Sequence, residues 1–170
     1  MSPEAMNLKL ILAPVDFSDF SAKAIDVAAD IASRFGAELL LVHVVPAVPD
    51  LPTGVSIFKE GEYDQNLHEV AAQRLSDLAA SFGAKGLKVR TDVGTANDVG
   101  MELVRKAEED QADMIVIATH GMTGWRRIAF GSVAKKVVEE ANCPVLVLRA
   151  QEMSQPAESK SHATSSSATA

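Results

Sequence analysis

Cysteine is almost absent from this chain of 170 residues, and the single one, Cys143, excludes both an internal disulfide and a cysteine metal cluster. Cys143 lies between Asn142 and Pro144 beside an apolar segment, where a buried thiol is expected rather than a reactive one. The sequence also lacks an apolar run approaching the roughly 20 residues of a membrane span. Its first residues lack the basic start and apolar stretch of a secretory signal. We therefore expect a cytoplasmic protein without a membrane partner.

Positive charge is scarce as well. The 16 lysines and arginines are outnumbered by 23 aspartates and glutamates, which gives a formal net charge of −7. Nonspecific binding of nucleic acid requires a basic face, so no nucleic-acid partner is expected. Arg126, Arg127, Lys135 and Lys136 nevertheless lie in and just after a glycine-containing loop. Together they suit a small anionic ligand, although each one taken singly is better explained as a solvated surface charge.

Apolar segments alternate with amphipathic segments along the chain. Strands are predicted at residues 8–15, 38–45, 113–119 and 144–149, which are apolar, and at residues 87–93, where apolar and polar residues alternate and one face should be more exposed. Helices are predicted at residues 21–35 and 62–82, with a third ending near residue 109 and a fourth near residue 141. Gly36 is the expected C-terminal cap of the first helix, and Thr95 or Asn97 the expected N-terminal cap of the third, after a turn at residues 94–97. Residues 46–61, which show no clear period, are predicted to form a long loop.

This order of elements predicts the α/β class, because continuous apolar strands separated by helices form a parallel sheet that helices cover on both faces. We expect a three-layer, doubly wound sheet of five strands in one domain at residues 1–150. Residues 151–170 are rich in serine, alanine and threonine and are predicted to be a disordered tail. In such folds ligands bind at the carboxyl ends of the strands, so Asp16, Val44 and Thr119 should meet at one edge.

A glycine-containing loop at residues 118–132 joins the fourth strand to the last helix. Glycines let backbone N–H groups approach a phosphate closely, and Gly131 and Ser132 begin a helix whose dipole attracts anions. The loop is not a Walker A loop, because no lysine lies between Gly131 and Ser132, and the dinucleotide fingerprint is absent. The alternative is that these glycines serve only tight turns.

Five segments of the chain resemble the universal stress protein family: PVDFS at 14–18, LVHV at 41–44, THG at 119–121, GS at 131–132 and CPVLV at 143–147. The nucleotide-binding members carry Gly, two residues, Gly, nine residues, Gly, then Ser or Thr. Gly121, Gly131 and Ser132 match this pattern, whereas Ala118 replaces the first glycine. Alanine at that position impairs the site if the backbone needs a positive φ and costs little if it is extended. The apolar strand run that contains Ala118 favours the extended case.

The resemblance implies a flavodoxin-like sheet of the adenine nucleotide alpha hydrolase-like type, a homodimer, and binding of an adenine nucleotide such as ATP, ADP or AMP. The contacts that it implies fall in three segments. They are Pro14, Val15, Asp16 and Val44 near the adenine, Ala118, Thr119, His120 and Gly121 near the ribose and phosphates, and Gly131, Ser132 and Val133 at the phosphates. Asp16 is also a candidate ligand for Mg²⁺, with a turn cap beside Ser18 as the alternative. His43 is expected to be a satisfied core histidine.

Three functions fit this sequence. The leading hypothesis is a stress-linked module that responds to a bound nucleotide. The second is a slow ATPase or nucleotidyl transferase, but residues 14–17 lack the His-x-x-His motif of related synthetases, and no catalytic residue is predicted. The third is an interaction protein with an empty pocket, against which the retention of Gly121, Gly131 and Ser132 argues.

The last predicted strand is apolar on both faces. It consists of Val145, Leu146, Val147 and Leu148 and contains neither lysine nor an internal proline. At the edge of a sheet such a strand presents unpaired backbone groups and apolar side chains, which favour pairing with another strand. A two-fold axis would pair it with its own copy, so we expect a homodimer through residues 144–149.

Overall fold

The protein forms one parallel sheet with helices on both faces. The computed structural model describes residues 7–47, 62–119 and 131–149. In these ranges the elements are β1 (Leu10–Pro14), α1 (Asp19–Phe35), β2 (Glu38–Pro46), α2 (Glu62–Gly83), β3 (Val89–Ala96), α3 (Val99–Glu109), β4 (Met114–Ala118), α4 (Ser132–Glu140) and β5 (Val145–Leu148). The strands are ordered β3-β2-β1-β4-β5 and every neighbouring pair is parallel. The predicted α/β class and doubly wound sheet are confirmed.

The strand order reverses direction once. From β1 the chain moves outward to β2 and β3, and it then crosses back to place β4 on the other side of β1. The carboxyl ends of β1 and β4 therefore flank the switch point, which is where open α/β sheets bind ligands. Right-handed crossovers put α1 and α2 on one face of the sheet and α3 and α4 on the other.

Each face has its own apolar core. On the first face Ile25 and Ala28 of α1 pack with Ile11, Leu39 and Leu41 of the sheet. The second face is built in the same way from other residues: Leu103 and Val104 of α3 and Val137 of α4 pack with Leu12, Leu40 and Ile115. The central strands are thus buried on both sides, as their continuous apolar sequences predicted.

The ends of α1 follow from its capping residues. The hydroxyl of Ser18 accepts a hydrogen bond from the N–H of Ser21, and Gly36 ends the helix in the left-handed region at φ 68°. Glycine adopts this conformation without steric cost, so the predicted C-terminal cap is confirmed. No described helix is long and apolar enough to cross a membrane.

The predicted turn at residues 94–97 was wrong. Residues 94–96 continue β3, because they pair with the end of the long strand β2. The cap of α3 is Asp98, whose carboxylate accepts a hydrogen bond of 3.0 Å from the N–H of Met101, and not Thr95 or Asn97. Strand pairing therefore extended an element that its local sequence, with glycine and threonine, predicted to stop.

Candidate functional site

The carboxyl ends of β1 and β4 bring together segments that are distant in the sequence. Pro14 ends β1 in register with Val42 of β2, and the next N–H, that of Val15, donates to the carbonyl of Val42 at 2.8 Å. On the other side of the switch point, Ala118 ends β4 in register with Leu148 of β5. Both segments are therefore held by their neighbouring strands up to the edge where the site was predicted.

Asp16 lies in the turn that leaves β1. Its Oδ1 accepts hydrogen bonds from the N–H of Ser18 at 3.0 Å and from the Ser18 hydroxyl at 2.6 Å. Partial burial alone would raise the pKa of Asp16, but these hydrogen bonds stabilise the carboxylate and the pKa falls below its ordinary value. Asp16 is thus an ionised hydrogen-bond acceptor. It also caps the turn through Ser18, which is the alternative role expected from the sequence.

Phe17 has an unusual backbone conformation. Its φ of 62° lies in the left-handed region, which costs a residue with a Cβ about 1–3 kcal/mol. The ring of Phe17 lies 4.8 Å from the ring of His43, measured between centroids, and the guanidinium of Arg74 lies 3.9 Å from the centre of the Phe17 ring. Side chains from β2 and α2 therefore hold a strained residue beside Asp16.

His43 is a half-buried residue of β2 with a defined partner. Its Nδ1 lies 2.6 Å from the carbonyl oxygen of Val15, which accepts the hydrogen bond when Nδ1 carries the proton. This agrees with the satisfied core histidine expected from its apolar neighbours. The next residue, Val44, is buried in the apolar core of the opposite face. Val42, two residues before Val44, pairs with Pro14 at the end of β1, so Val44 lies near the same edge of the sheet.

Ala118 occupies the position where the nucleotide-binding pattern has its first glycine. It is part of β4 and pairs with Leu148, so its backbone is extended. Alanine is unstrained in that conformation, which agrees with the expectation that its methyl group costs little. Thr119 follows as a buried residue whose N–H donates to the carbonyl of Leu148 at 2.9 Å. His120 and Gly121 lie outside the described residues.

Gly131 packs against the end of β4. Its N–H donates to the carbonyl oxygen of Thr119 at 2.7 Å, which closes the loop between β4 and α4 at its base. A Cβ at Gly131 would lie 2.9 Å from that oxygen, although the backbone angles of φ −56° and ψ 155° suit any residue. Glycine is therefore needed here for close approach to the backbone and not for a left-handed conformation. This contact directs the first turn of α4, with Ser132 and Val133, to the carboxyl edge of the sheet.

The N-terminus of α4 differs from those of α1 and α3. Ser18 and Asp98 cap α1 and α3 with their side chains, and each of these helices has an acidic residue in its first turn. The first turn of α4 has no acidic residue, and its cap position is occupied by Gly131, without a side-chain hydrogen bond. Among the described residues, therefore, neither a side-chain cap nor a carboxylate of the first turn competes with an anion for the N–H groups and the positive dipole end of α4.

A surface hollow in the described part of the chain lies elsewhere. It is bounded by Asp30 and Ser33 near the end of α1 and by Phe82 and Lys85 near the end of α2. Since α1 and α2 run antiparallel to the strands, this hollow is at the amino edge of the sheet and does not contribute to the site. Among the described residues, no group of three or more His, Cys, Asp or Glu side chains could hold a metal ion.

Comparison with known proteins gives the family. The model of the universal stress protein family matches residues 7–149. The chain belongs to the universal stress protein family. It is 35% identical over 144 residues to Universal stress protein MJ0531 of Methanocaldococcus jannaschii, which covers 83% of this chain and 82% of that protein. The resemblance inferred from the sequence is confirmed.

Solved structures agree with this assignment. The structure of MJ0577, described as a hypothetical protein whose biochemical function was assigned from structure, matches with a TM-score of 0.73 and 29% identity and covers 85% of this chain and 97% of that one. A universal stress protein from Archaeoglobus fulgidus in complex with dAMP matches at 0.59 and 23%, covering 84% and 98%. A universal stress protein in complex with cAMP matches at 0.55 and 22%, also covering 84% and 98%. At these identities the last two matches establish the fold of the chain.

Sequence reasoning missed two contributors to this edge. One is Arg74, which lies in the middle of α2 and resembles any solvated helix residue in the sequence. The other is the carbonyl oxygen of Thr119, which forces glycine at position 131. Phe17 belongs to the PVDFS segment, which pointed to this part of the chain. Nothing in the local sequence indicated its left-handed backbone.

Proposed function

We propose that this universal stress protein binds an adenine nucleotide at the carboxyl edge between β1 and β4 and acts as a nucleotide-responsive regulatory module of the cytoplasm. The observation that carries the proposal is the first turn of α4, which has neither a side-chain cap nor an acidic residue and begins beside the end of β4. An anion there would accept hydrogen bonds from the N–H groups that the helix leaves unpaired.

The proposed contacts extend from the phosphates to the base. Ser132 and Val133 would donate to phosphate oxygens, and Gly131, whose N–H already donates to Thr119, would lie beside the phosphates without a side chain in the way. Asp16, as an ionised acceptor, would receive hydrogen bonds from ribose hydroxyls or from the adenine amino group. The remaining contacts would come from backbone and apolar groups of the same edge: Pro14, Val15, Val44, Ala118, Thr119, His120 and Gly121. The same fold holds dAMP in one solved family member and cAMP in another, which supports an adenine ligand.

Among adenine nucleotides we propose ATP, with ADP and AMP as alternatives that present the same base and first phosphate. Mg²⁺ would enter with the phosphates, because Oδ1 of Asp16 already accepts two hydrogen bonds and one carboxylate is a weak magnesium site. The lowered pKa of Asp16 argues for binding over hydrolysis, since a carboxylate with a low pKa is a weak base for activating a water molecule. Slow hydrolysis is the second candidate activity.

We also propose a homodimer through residues 144–149. Strand β5 lies at the edge of the sheet, and Val145, Leu146, Val147 and Leu148 are only half-buried. Antiparallel pairing of β5 with a second copy would satisfy the outer backbone groups and cover these side chains.

Mass spectrometry and calorimetry test the nucleotide proposal together. Native mass spectrometry of protein purified from cells, followed by denaturation and analysis of the released small molecules, should detect an adenine nucleotide. Isothermal titration should then show that Ser132→Ala weakens ATP binding by about 1–2 kcal/mol, because a hydrogen bond to a charged group is lost. Gly131→Ala is a poor test, because its Cβ would clash with Thr119 whether or not a ligand binds.

Ser33→Ala is the matched control for Ser132→Ala. Ser33 is exposed near the end of α1, at the amino edge of the sheet, so the same substitution there should leave the affinity unchanged. Equal affinities of Ser132→Ala and the parent protein would contradict the assignment of phosphates to α4. No bound nucleotide and no heat of ATP binding in the parent protein would favour the interaction protein with an empty pocket.

A further inference from the structure

Three elements converge on one aromatic ring beside the proposed site. Phe17 belongs to the turn between β1 and α1, His43 to β2 and Arg74 to α2. The Phe17 ring contacts both other side chains, with the His43 ring 4.8 Å away and inclined by 44° and the Arg74 guanidinium 3.9 Å from the ring centre. We name these three residues the Arg74 stack. A guanidinium this close to an aromatic ring makes a cation–π interaction.

The Arg74 stack contacts the residues on both sides of Asp16 in the sequence. The carbonyl oxygen of Val15 lies 2.6 Å from Nδ1 of His43, and the N–H of Val15 donates to Val42, so both polar groups of Val15 are held. On the other side of Asp16, Phe17 adopts its φ of 62°. A residue with a Cβ leaves this conformation unless its surroundings hold it there, and the described contacts of the Phe17 side chain that do so include His43 and Arg74.

We propose that Arg74 is a positioning residue of the nucleotide site: its contact with the Phe17 ring helps to hold Phe17 in its left-handed conformation and thereby fixes the direction in which Asp16 is presented to the ligand. This inference rests on the proposed function, since Asp16 is there assigned to the ribose or adenine. Without the guanidinium, Phe17 relaxes toward negative φ and rotates the peptide plane that joins it to Asp16. The ligand must then restore the strained turn when it binds, and its affinity falls.

Positioning differs in a measurable way from direct contact of Arg74 with phosphate. A positioning role weakens binding of adenosine and of ATP by the same factor, because both use the Asp16 turn. A direct contact weakens only ATP, and the loss shrinks at high salt because the Coulomb interaction is screened. The pair of ligands therefore separates two roles that a single titration would confuse.

The variants are Arg74→Ala, Arg74→Lys and Phe17→Leu, with Lys85→Ala as the matched control. Lys85 also lies over a phenylalanine ring, at 5.3 Å from that of Phe82, but this pair is at the amino edge, away from the site. Arg74→Ala should weaken ATP and adenosine alike by about two- to fivefold, the size of an exposed cation–π interaction. Arg74→Lys should recover part of the loss. Phe17→Leu, which removes the ring, should weaken both ligands by on the order of tenfold.

The measurements are calorimetric titrations of the full chain with each ligand at low and high salt, together with the thermal midpoint of each variant. Lys85→Ala should bind both ligands as the parent protein does, and Arg74→Ala should keep a thermal midpoint near that of Lys85→Ala, because both cations are exposed. The Ser18 amide signal in the ligand-free protein should shift in Arg74→Ala and not in Lys85→Ala, since that N–H donates to Asp16.

Three results would overturn the inference alone, each with the parent protein binding nucleotide: Arg74→Ala with unchanged affinity, a loss confined to ATP that vanishes at high salt, or an equal loss in Lys85→Ala. A parent protein that binds neither ATP nor adenosine would overturn the proposed function, and the positioning role with it. The two failures are therefore distinguishable in the same experiment.

Discussion

The two edges of the sheet are built in opposite ways. Strand β3 carries charges that reach back to α3: Arg90 pairs with Asp110 at 3.0 Å, and Asp92 pairs with Lys106. Strand β5 carries only valine and leucine, and each of its four residues is half-buried on one face or the other. Both strands leave one row of backbone groups without a neighbour in the sheet order. Charge discourages a second strand from pairing with β3, whereas nothing on β5 does.

The charges on the β3 side include Lys106, a lysine that is buried in the described part of the chain. Lys106 is 7% exposed, and its amino group contacts Asp92 of β3 and lies 4.0 Å from Glu102 one turn earlier in α3. Gly94 leaves room for this arrangement, because a Cβ there would lie 2.8 Å from Cε of Lys106. An inward-pointing charge of this kind costs desolvation but specifies how α3 sits on the edge strand.

Val147→Lys should have the largest effect, because it gives β5 the kind of charge that β3 already has. Two lysines would meet near the two-fold axis of the proposed homodimer, so association should weaken by more than about 100-fold, which corresponds to about 3 kcal/mol. Analytical ultracentrifugation should find a monomer, and circular dichroism should find most of the helix and strand content retained.

Thr91→Lys is the control for this prediction, since Thr91 is an exposed residue of β3 at the other edge. It should leave the association constant unchanged. A Val147→Lys protein that still dimerises with the parent affinity would mean that the interface lies elsewhere and that β5 is covered within its own subunit.

Lys106→Met tests the other edge and should have an intermediate effect. Methionine keeps much of the buried stem but leaves Asp92 without its ammonium partner, so the free energy of unfolding should fall by about 1–3 kcal/mol. Because Asp92 is partly exposed, water can solvate it and the loss should stay below that of a fully buried pair. Urea unfolding at a fixed protein concentration measures the change.

The oligomeric state separates this prediction from a general loss of structure. The charges of β3 itself, Arg90 and Asp92, remain in Lys106→Met, so this variant should keep the oligomeric state of the parent protein. A variant that instead forms larger assemblies would indicate that Lys106 protects the β3 edge from pairing. A variant as stable as the parent would show that desolvation of Lys106 cancels its attraction to Asp92.

The sequence predicted the sheet well, because its signals are local and repeated. The continuous apolar runs of β1, β2 and β4 are what strands buried on both faces require, and Gly36 ends α1 where its φ of 68° demands glycine. The end of β3 was mispredicted, because its length is set by pairing with β2 and not by its own residues. Short-range patterns do not contain that information.

The edge of the sheet at which the candidate site lies could be predicted from the sequence, but the contacts within the site could not. Asp16 and Thr119 each follow a predicted strand of a parallel sheet, which placed them at one edge, and the glycine pattern indicated Gly131. The reason for Gly131, a carbonyl 2.9 Å from where its Cβ would be, is a contact between two backbone segments. The contact of Arg74 with Phe17 joins residues 57 positions apart, and no local pattern marks it.

The reactivity of Cys143 should show the smallest of the expected effects. It tests whether a second copy covers the residues next to β5. Cys143 lies two positions before β5, packs against the apolar core of the second face, and is half-buried. Burial raises the pKa of the Cys143 thiol, so at a given pH less thiolate is present than for an exposed cysteine. Alkylation by iodoacetamide should therefore be slower in the folded protein than in urea, and its rate should reach half-maximum at a higher pH.

Pairing of β5 with a second copy would cover the thiol further, so Val147→Lys should raise the folded-state rate a few-fold while leaving the rate in urea unchanged. Equal rates in the two proteins, with the dimer demonstrably lost, would mean that pairing along β5 does not extend as far as residue 143 and that the proposed interface is shorter than residues 144–149 suggest.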